Sequence, residues 1–180
     1  MRKSVVVTVI VAVIATLCVV MGGVSQAYPN GWTSDNTLPF TGAVWIDTTA
    51  GRGFVHAVCQ TSGSDIYYSR SGDQGVTWSA PAKINTGTSE NPTIEVGWSD
   101  SGKDYLYIAY ETHELATGRL EIVVRRSEDD GATWVAGYNC VTNGGAINSN
   151  YRRASLSNSP TLGVQIVYEK KGSGFGQWDV

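Results

Sequence analysis

An octapeptide that occurs twice constrains this chain more than any other feature. Ser71-Gly72-Asp73-Gln74-Gly75-Val76-Thr77-Trp78 recurs 56 residues later as Ser127-Glu128-Asp129-Asp130-Gly131-Ala132-Thr133-Trp134, with five of eight positions identical. Repetition at a fixed period of this size marks a fold built from copies of one supersecondary unit. The flanks repeat too. Asp65-Ile66-Tyr67-Tyr68-Ser69-Arg70 leads into the first copy and Glu121-Ile122-Val123-Val124-Arg125-Arg126 into the second, each rich in strand formers. Upstream, Gly53-Phe54-Val55-His56-Ala57-Val58-Cys59 matches Asp104-Tyr105-Leu106-Tyr107-Ile108-Ala109-Tyr110, and Gly42-Ala43-Val44-Trp45-Ile46 matches Pro92-Thr93-Ile94-Glu95-Val96. After each octapeptide, Trp78 to Ile84 and Trp134 to Val141 offer a fourth strand.

A third copy begins. Arg152-Arg153-Ala154-Ser155-Leu156 fits the first strand, Val164-Gln165-Ile166-Val167-Tyr168 the second, and Trp178-Asp179-Val180 the opening of the third. The spacing puts the next octapeptide beyond Val180, so the chain is expected to stop in mid-strand. Asp100-Ser101-Gly102, Gly87-Thr88-Ser89, Asn143-Gly144-Gly145 and Gly172-Ser173-Gly174 supply hairpin turn chemistry. No stretch beyond the leader holds a helical period. The expected fold is all-β, with four antiparallel strands per unit. Residues 28–40 form a lead, 41–90 a first unit, 91–150 a second and 151–180 part of a third.

Ser-x-Asp-x-Gly-x-Thr-Trp is the Asp-box, or BNR repeat, and on it the chain resembles sialidases and other Asp-box β-propellers. The resemblance covers nearly all of residues 41–180. It implies about two and a half four-stranded propeller blades, and propellers normally close with four to eight. The motif identifies a blade type, not an activity: sialidases, other glycoside hydrolases, sorting receptors and non-catalytic assembly factors share it. In the family the box is the turn between the third and fourth strands, and the residues suit that place. Asp73 and Asp129 can accept hydrogen bonds from their own turn. Gly75 and Gly131 can take a positive φ. Ser71 and Ser127 open the boxes, Thr77 and Thr133 start the outgoing strand, and Trp78 and Trp134 are expected to bury their rings between blades. The two box aspartates are read as structural, not as a catalytic dyad.

The first residues bear on destination. Arg2 and Lys3 precede an apolar run from Val5 to Met21, and Ser25-Gln26-Ala27 has the small residues of a cleavage site. That is the pattern of a secretory signal peptide over residues 1–27, so the chain is expected to be extracellular and without a membrane segment after cleavage. Cleavage would leave 11 basic against 16 acidic residues. Such a balance excludes a nucleic-acid binder, which needs clustered cations. Cys59 and Cys140 remain, either paired or as separate buried thiols, and their spacing matches no zinc pattern. The Asp100/Gly102/Asp104 turn is too short for a calcium loop. No metal and no cofactor are expected. Partners would be a glycan or an extracellular protein.

Catalysis has few candidates. Sialidases hold the substrate carboxylate with three arginines and use a Tyr–Glu pair and an Asp. The first arginine belongs to a Phe/Tyr-Arg-Ile-Pro motif, and the matching region here, Leu38 to Trp45, contains no arginine. The resemblance places first strands along a central channel, where Arg152, Arg153 and Glu95 are the candidate ligand-binding residues. Tyr168 and Glu169 are neighbours and should point to opposite faces. Asp47 and Asp65 are read as turn residues, His56 as a core histidine, and His113 as part of a loop. No nucleophile elbow, P-loop or dinucleotide fingerprint is present. The expected function is that of a sialidase-like glycoside hydrolase or glycan binder, with a non-catalytic binding scaffold as the second reading.

Overall fold

A computed structural model describes residues 36–97, 105–113, 120–135, 138–139, 151–159, 161–171 and 178–179. The expected leader, most of the lead, Cys140 and the turns at Asp100–Gly102, Asn143–Gly145 and Gly172–Gly174 lie outside them. The chain divides into the units Met1–Leu38 and Pro39–Val180. The second contains all the described strands and is described alone.

Among the described residues the chain is all-β, with antiparallel sheets and no helix. The first sheet runs in the order β1 (Ala43–Gly51), β2 (Phe54–Thr61), β3 (Ile66–Ser71) and β4 (Ala82–Lys83). The second repeats that order with β5 (Ser89–Gly97), β6 (Tyr105–His113), β7 (Leu120–Ser127) and β8 (Tyr138–Asn139). The third joins β9 (Tyr151–Ser159), β10 (Gly163–Lys171) and β11 (Trp178–Asp179). The first strands β1, β5 and β9 are neighbours.

The middle sheet sends alternate residues into two cores, as the two-residue period of a strand requires. Leu106, Ile108 and Tyr110 of β6 and Val123 of β7 join Val58, Ile66, Tyr68, Ile84 and Ile94 in the core shared with the first sheet. Ala109 of β6 and Ile122 and Val124 of β7 face the other way, onto Tyr151 and Leu156. Ile108 and Ile122 are fully buried, one in each core, and each such side chain contributes about 1.5–3 kcal/mol by leaving water. A continuous apolar run in the sequence is therefore a strand covered on both faces.

The outer strands depart from expectation. Trp78 to Ile84 does not form a full fourth strand, the ladder of β4 being two residues, and of Trp134 to Val141 the described strand is Tyr138–Asn139. The cause is visible beside β3. The Arg70 N–H donates to Ser79 Oγ at 3.1 Å, and Ser69 Oγ donates to the Ser79 carbonyl at 2.8 Å. A side chain thus takes the place of a ladder bond, and Pro81 has no N–H to give. Asn85 continues the substitution, its Oδ1 accepting the Ile66 N–H at 2.8 Å. Two other positions also differ. Asp47 lies within β1, not in a turn, and His113 is the last residue of β6. The β9–β10 register shifts where Arg153 and Ala154 of β9 stand opposite Tyr168, so the bulged strand is β9 and the extra residue falls at the left-handed Arg153. Cys59 is a buried free thiol, and burial pushes its pKa up to about 11.

Candidate functional site

The two octapeptides close by the same set of hydrogen bonds. In the first, Ser71 Oγ donates to Asp73 Oδ1 at 2.7 Å and accepts the Gly75 N–H at 2.7 Å. Asp73 Oδ1 accepts the Thr77 N–H at 2.8 Å, and Asp73 Oδ2 accepts the Thr77 hydroxyl at 2.5 Å. In the second, Ser127 Oγ donates to Asp129 Oδ1 at 2.8 Å and accepts the Gly131 N–H at 2.8 Å, while Asp129 takes the Thr133 N–H at 2.7 Å and its hydroxyl at 2.6 Å. Bonds from Thr77 and Ser71 hold the Asp73 pKa down at about 2, and the Thr133 and Ser127 bonds lower that of Asp129. Both carboxylates stay ionised at neutral pH with their oxygens engaged within the turn, which suits a structural clasp and not a proton carrier.

Two details of the motif differ from expectation. Thr77 and Thr133 are clasp donors outside the strands, not the first residues of strands. Trp78 and Trp134 are half-buried. The Trp78 indole donates to the Gly75 carbonyl at 3.0 Å and so closes its own turn. Trp134 instead packs edge-on against Tyr68 of the first sheet, 5.0 Å between ring centroids, and its buried Nε1 has no hydrogen-bond partner among the described residues.

The second clasp is held by the first sheet. Arg70 Nη1 donates to the Asp130 carbonyl at 2.6 Å and to the Asp129 carbonyl at 3.3 Å. The Tyr68 hydroxyl donates to the same Asp130 carbonyl at 3.1 Å and stands 2.8 Å from His56 Nδ1. His56 is 2 % exposed, and burial lowers its pKa to about 4. It is a neutral core histidine. A shallow depression beside it is lined by Arg52, Tyr105 and Asp130.

Two of the three candidate ligand-binding residues on the first strands, Arg152 and Arg153, belong to a polar row. Arg152 Nε donates to Glu169 Oε2 at 2.7 Å, and Arg153 Nη1 donates to Glu169 Oε1 at 3.1 Å. The Arg152 bond, then that from Arg153, lowers the pKa of Glu169, which therefore cannot serve as a general acid at neutral pH. Arg153 is the more open cation, its side chain 64 % exposed. Glu95 does not join this group. Its Oε1 accepts the Val96 N–H at 3.2 Å and the Thr49 hydroxyl at 3.4 Å, which ties it to β1.

The row contains members that the sequence reading missed. Asn91 and Arg153 have φ of 50° and 52°, the left-handed region. Each donates its N–H to a second-strand side chain of the preceding sheet: Asn91 to Gln60 Oε1 at 2.9 Å, and Arg153 to Glu111 Oε1 at 2.6 Å. Glu111 Oε1 also accepts from Asn91 Nδ2 at 2.7 Å. Gln60 and Glu111 stand at matching positions after Cys59 and Tyr110, and a long polar residue at the end of each apolar second strand was the available signal. Asp47 has a related task, with Oδ2 accepting the Thr93 hydroxyl at 2.8 Å and the Ile94 N–H at 3.0 Å. These bonds bind sheet to sheet, and the row ends in an ionised Arg–Glu–Arg group able to meet hydroxyl or anionic groups. Comparison with protein-family models, curated proteins and solved structures finds no match to this chain.

Proposed function

We propose that the chain is part of a secreted, sialidase-like Asp-box β-propeller that binds glycans without cleaving them. The observation that carries this reading is the shared bonding of the two octapeptide clasps, each set in an equivalent antiparallel sheet with the first strands side by side. Two such sheets and a third of the same strand order support the blade interpretation, with Arg152, Arg153 and Glu169 toward the central axis. Charged hydrogen-bonding groups on a rigid strand suit sugar hydroxyl or carboxylate groups. Binding is favoured over hydrolysis because the arginines are engaged with Glu169 and that carboxylate is held ionised.

A glycan-binding screen with the full chain tests this, read by calorimetry on soluble acidic and neutral oligosaccharides. Weak binding, reduced several-fold in Arg153→Ala with the fold intact, is expected, together with no release from a fluorogenic sialoside. Sialoside turnover abolished by Arg152→Ala would establish the hydrolase reading instead.

A further inference from the structure

The grip of the first sheet on the second clasp has a counterpart one sheet further on. In the first sheet, the Arg70 guanidinium lies 5.1 Å over the Phe54 ring and from there reaches the Asp129 and Asp130 carbonyls. Phe54 opens β2, and Arg70 pairs with His56 in the β2–β3 ladder. In the second sheet, Tyr105 opens β6, Arg126 pairs with Tyr107 in the β6–β7 ladder, and the Arg126 guanidinium lies 4.7 Å over the Tyr105 ring. Cation, aromatic platform and register are the same. Arg126 Nη2 is bonded to Glu128 Oε1 at 2.6 Å, but its Nε is buried with no hydrogen-bond partner among the described residues. A buried guanidinium N–H without an acceptor is costly, and in the first sheet it is Nη1 of Arg70 that meets the carbonyls.

We propose that Arg126 on Tyr105 is a seat for a further Ser-x-Asp-x-Gly-x-Thr-Trp turn, whose backbone carbonyls it binds as Arg70 binds those of Asp129 and Asp130. This rests on the repeat reading above. The seated turn needs a particular shape, two consecutive left-handed residues after the aspartate. Asp130 and Gly131 have φ of 56° and 83°, and Gln74 and Gly75 of the first octapeptide repeat it at 62° and 90°. The ligand is thus a clasp of defined backbone geometry, recognised by paired carbonyl oxygens that accept from the planar guanidinium fork. One detail changes between seats. Val124 stands where Tyr68 stands, so β7 lacks the hydroxyl, and Tyr107 in place of His56 brings one to the adjacent strand.

The test extends the full chain after Val180 with a second copy of its own residues 123–141, which continues the repeat and carries a clasp to the seat. Urea unfolding midpoints are measured for the parent and extended chains, each with Arg126, Arg126→Gln and Arg126→Lys. The extension is expected to raise the midpoint with Arg126 and to raise it much less with either variant. Arg70→Gln, which loosens the seat already filled, should lower the midpoint of the unextended chain more than Arg126→Gln does. An equal rise in all three extended chains would overturn the seat and leave the repeat intact. No rise in any of them would overturn both.

Discussion

Gly75 and Gly131 hold the same place in the two octapeptides and have positive φ of 90° and 83°, yet they are not equivalent. A Cβ on Gly75 would make only an ordinary contact with Trp78, whereas a Cβ on Gly131 would run into the buried Tyr68 hydroxyl. Gly75→Ala should therefore cost the conformational penalty alone, about 1–2 kcal/mol. Gly131→Ala should cost about 2 kcal/mol more, because Tyr68 must leave a packed site that also holds His56 and Trp134. Equal losses in denaturant melts would contradict this account. The need for glycine was legible in the sequence because each octapeptide encodes its own turn. The difference between the two was not, because it comes from a residue of another sheet.

At the scale of the strand, the two-residue period and the turn residues gave away most elements before any geometry. Second and third strands are apolar runs bounded by glycine, and they form where the pattern places them. The fourth strand of the first sheet was over-read because Ser79 and Asn85 replace ladder bonds with side-chain bonds, and nothing in their local sequence distinguishes that from a strand. The first strands hide their main feature as well. Asn91 and Arg153 adopt left-handed backbone at bulges in the β5–β6 and β9–β10 ladders and there present an N–H to the preceding sheet, whose acceptor holds the bulge. Glu111 is 3 % exposed and serves two donors. Glu111→Gln keeps an acceptor of the kind Gln60 already supplies and should change stability little. Glu111→Ala leaves the Arg153 N–H and Asn91 Nδ2 unanswered and should cost about 2–4 kcal/mol, a contrast that thermal melts of the pair would check.

Across the whole molecule, stability should follow pH through the junction of the first two sheets. His56 keeps a pKa of about 4 in the fold against its ordinary 6.5. The unfolded chain therefore takes up a proton first, and stability present above pH 6.5 is lost as pH falls towards 4, by about 3 kcal/mol. Asp73, held at about 2, adds a second loss that begins near its ordinary 3.8 and continues towards 2, and Asp129, also held low, contributes in the same direction. Urea midpoints against pH should decline in these two stages, and His56→Asn should flatten the upper one. At this junction the first sheet addresses the second through carbonyl oxygens of Asp129 and Asp130, groups that every residue type possesses. These carbonyl contacts read the path of the main chain, while Gly131, Trp134 and the Arg52–Asp130 pair are the positions where side-chain identity counts. Glu128, Asp130 and Ala132 stand where the first octapeptide has Gly72, Gln74 and Val76, and the fit does not demand that such letters change in concert with Arg70. A gene encoding such units can copy, lose or reorder them without inventing a new lock for each key.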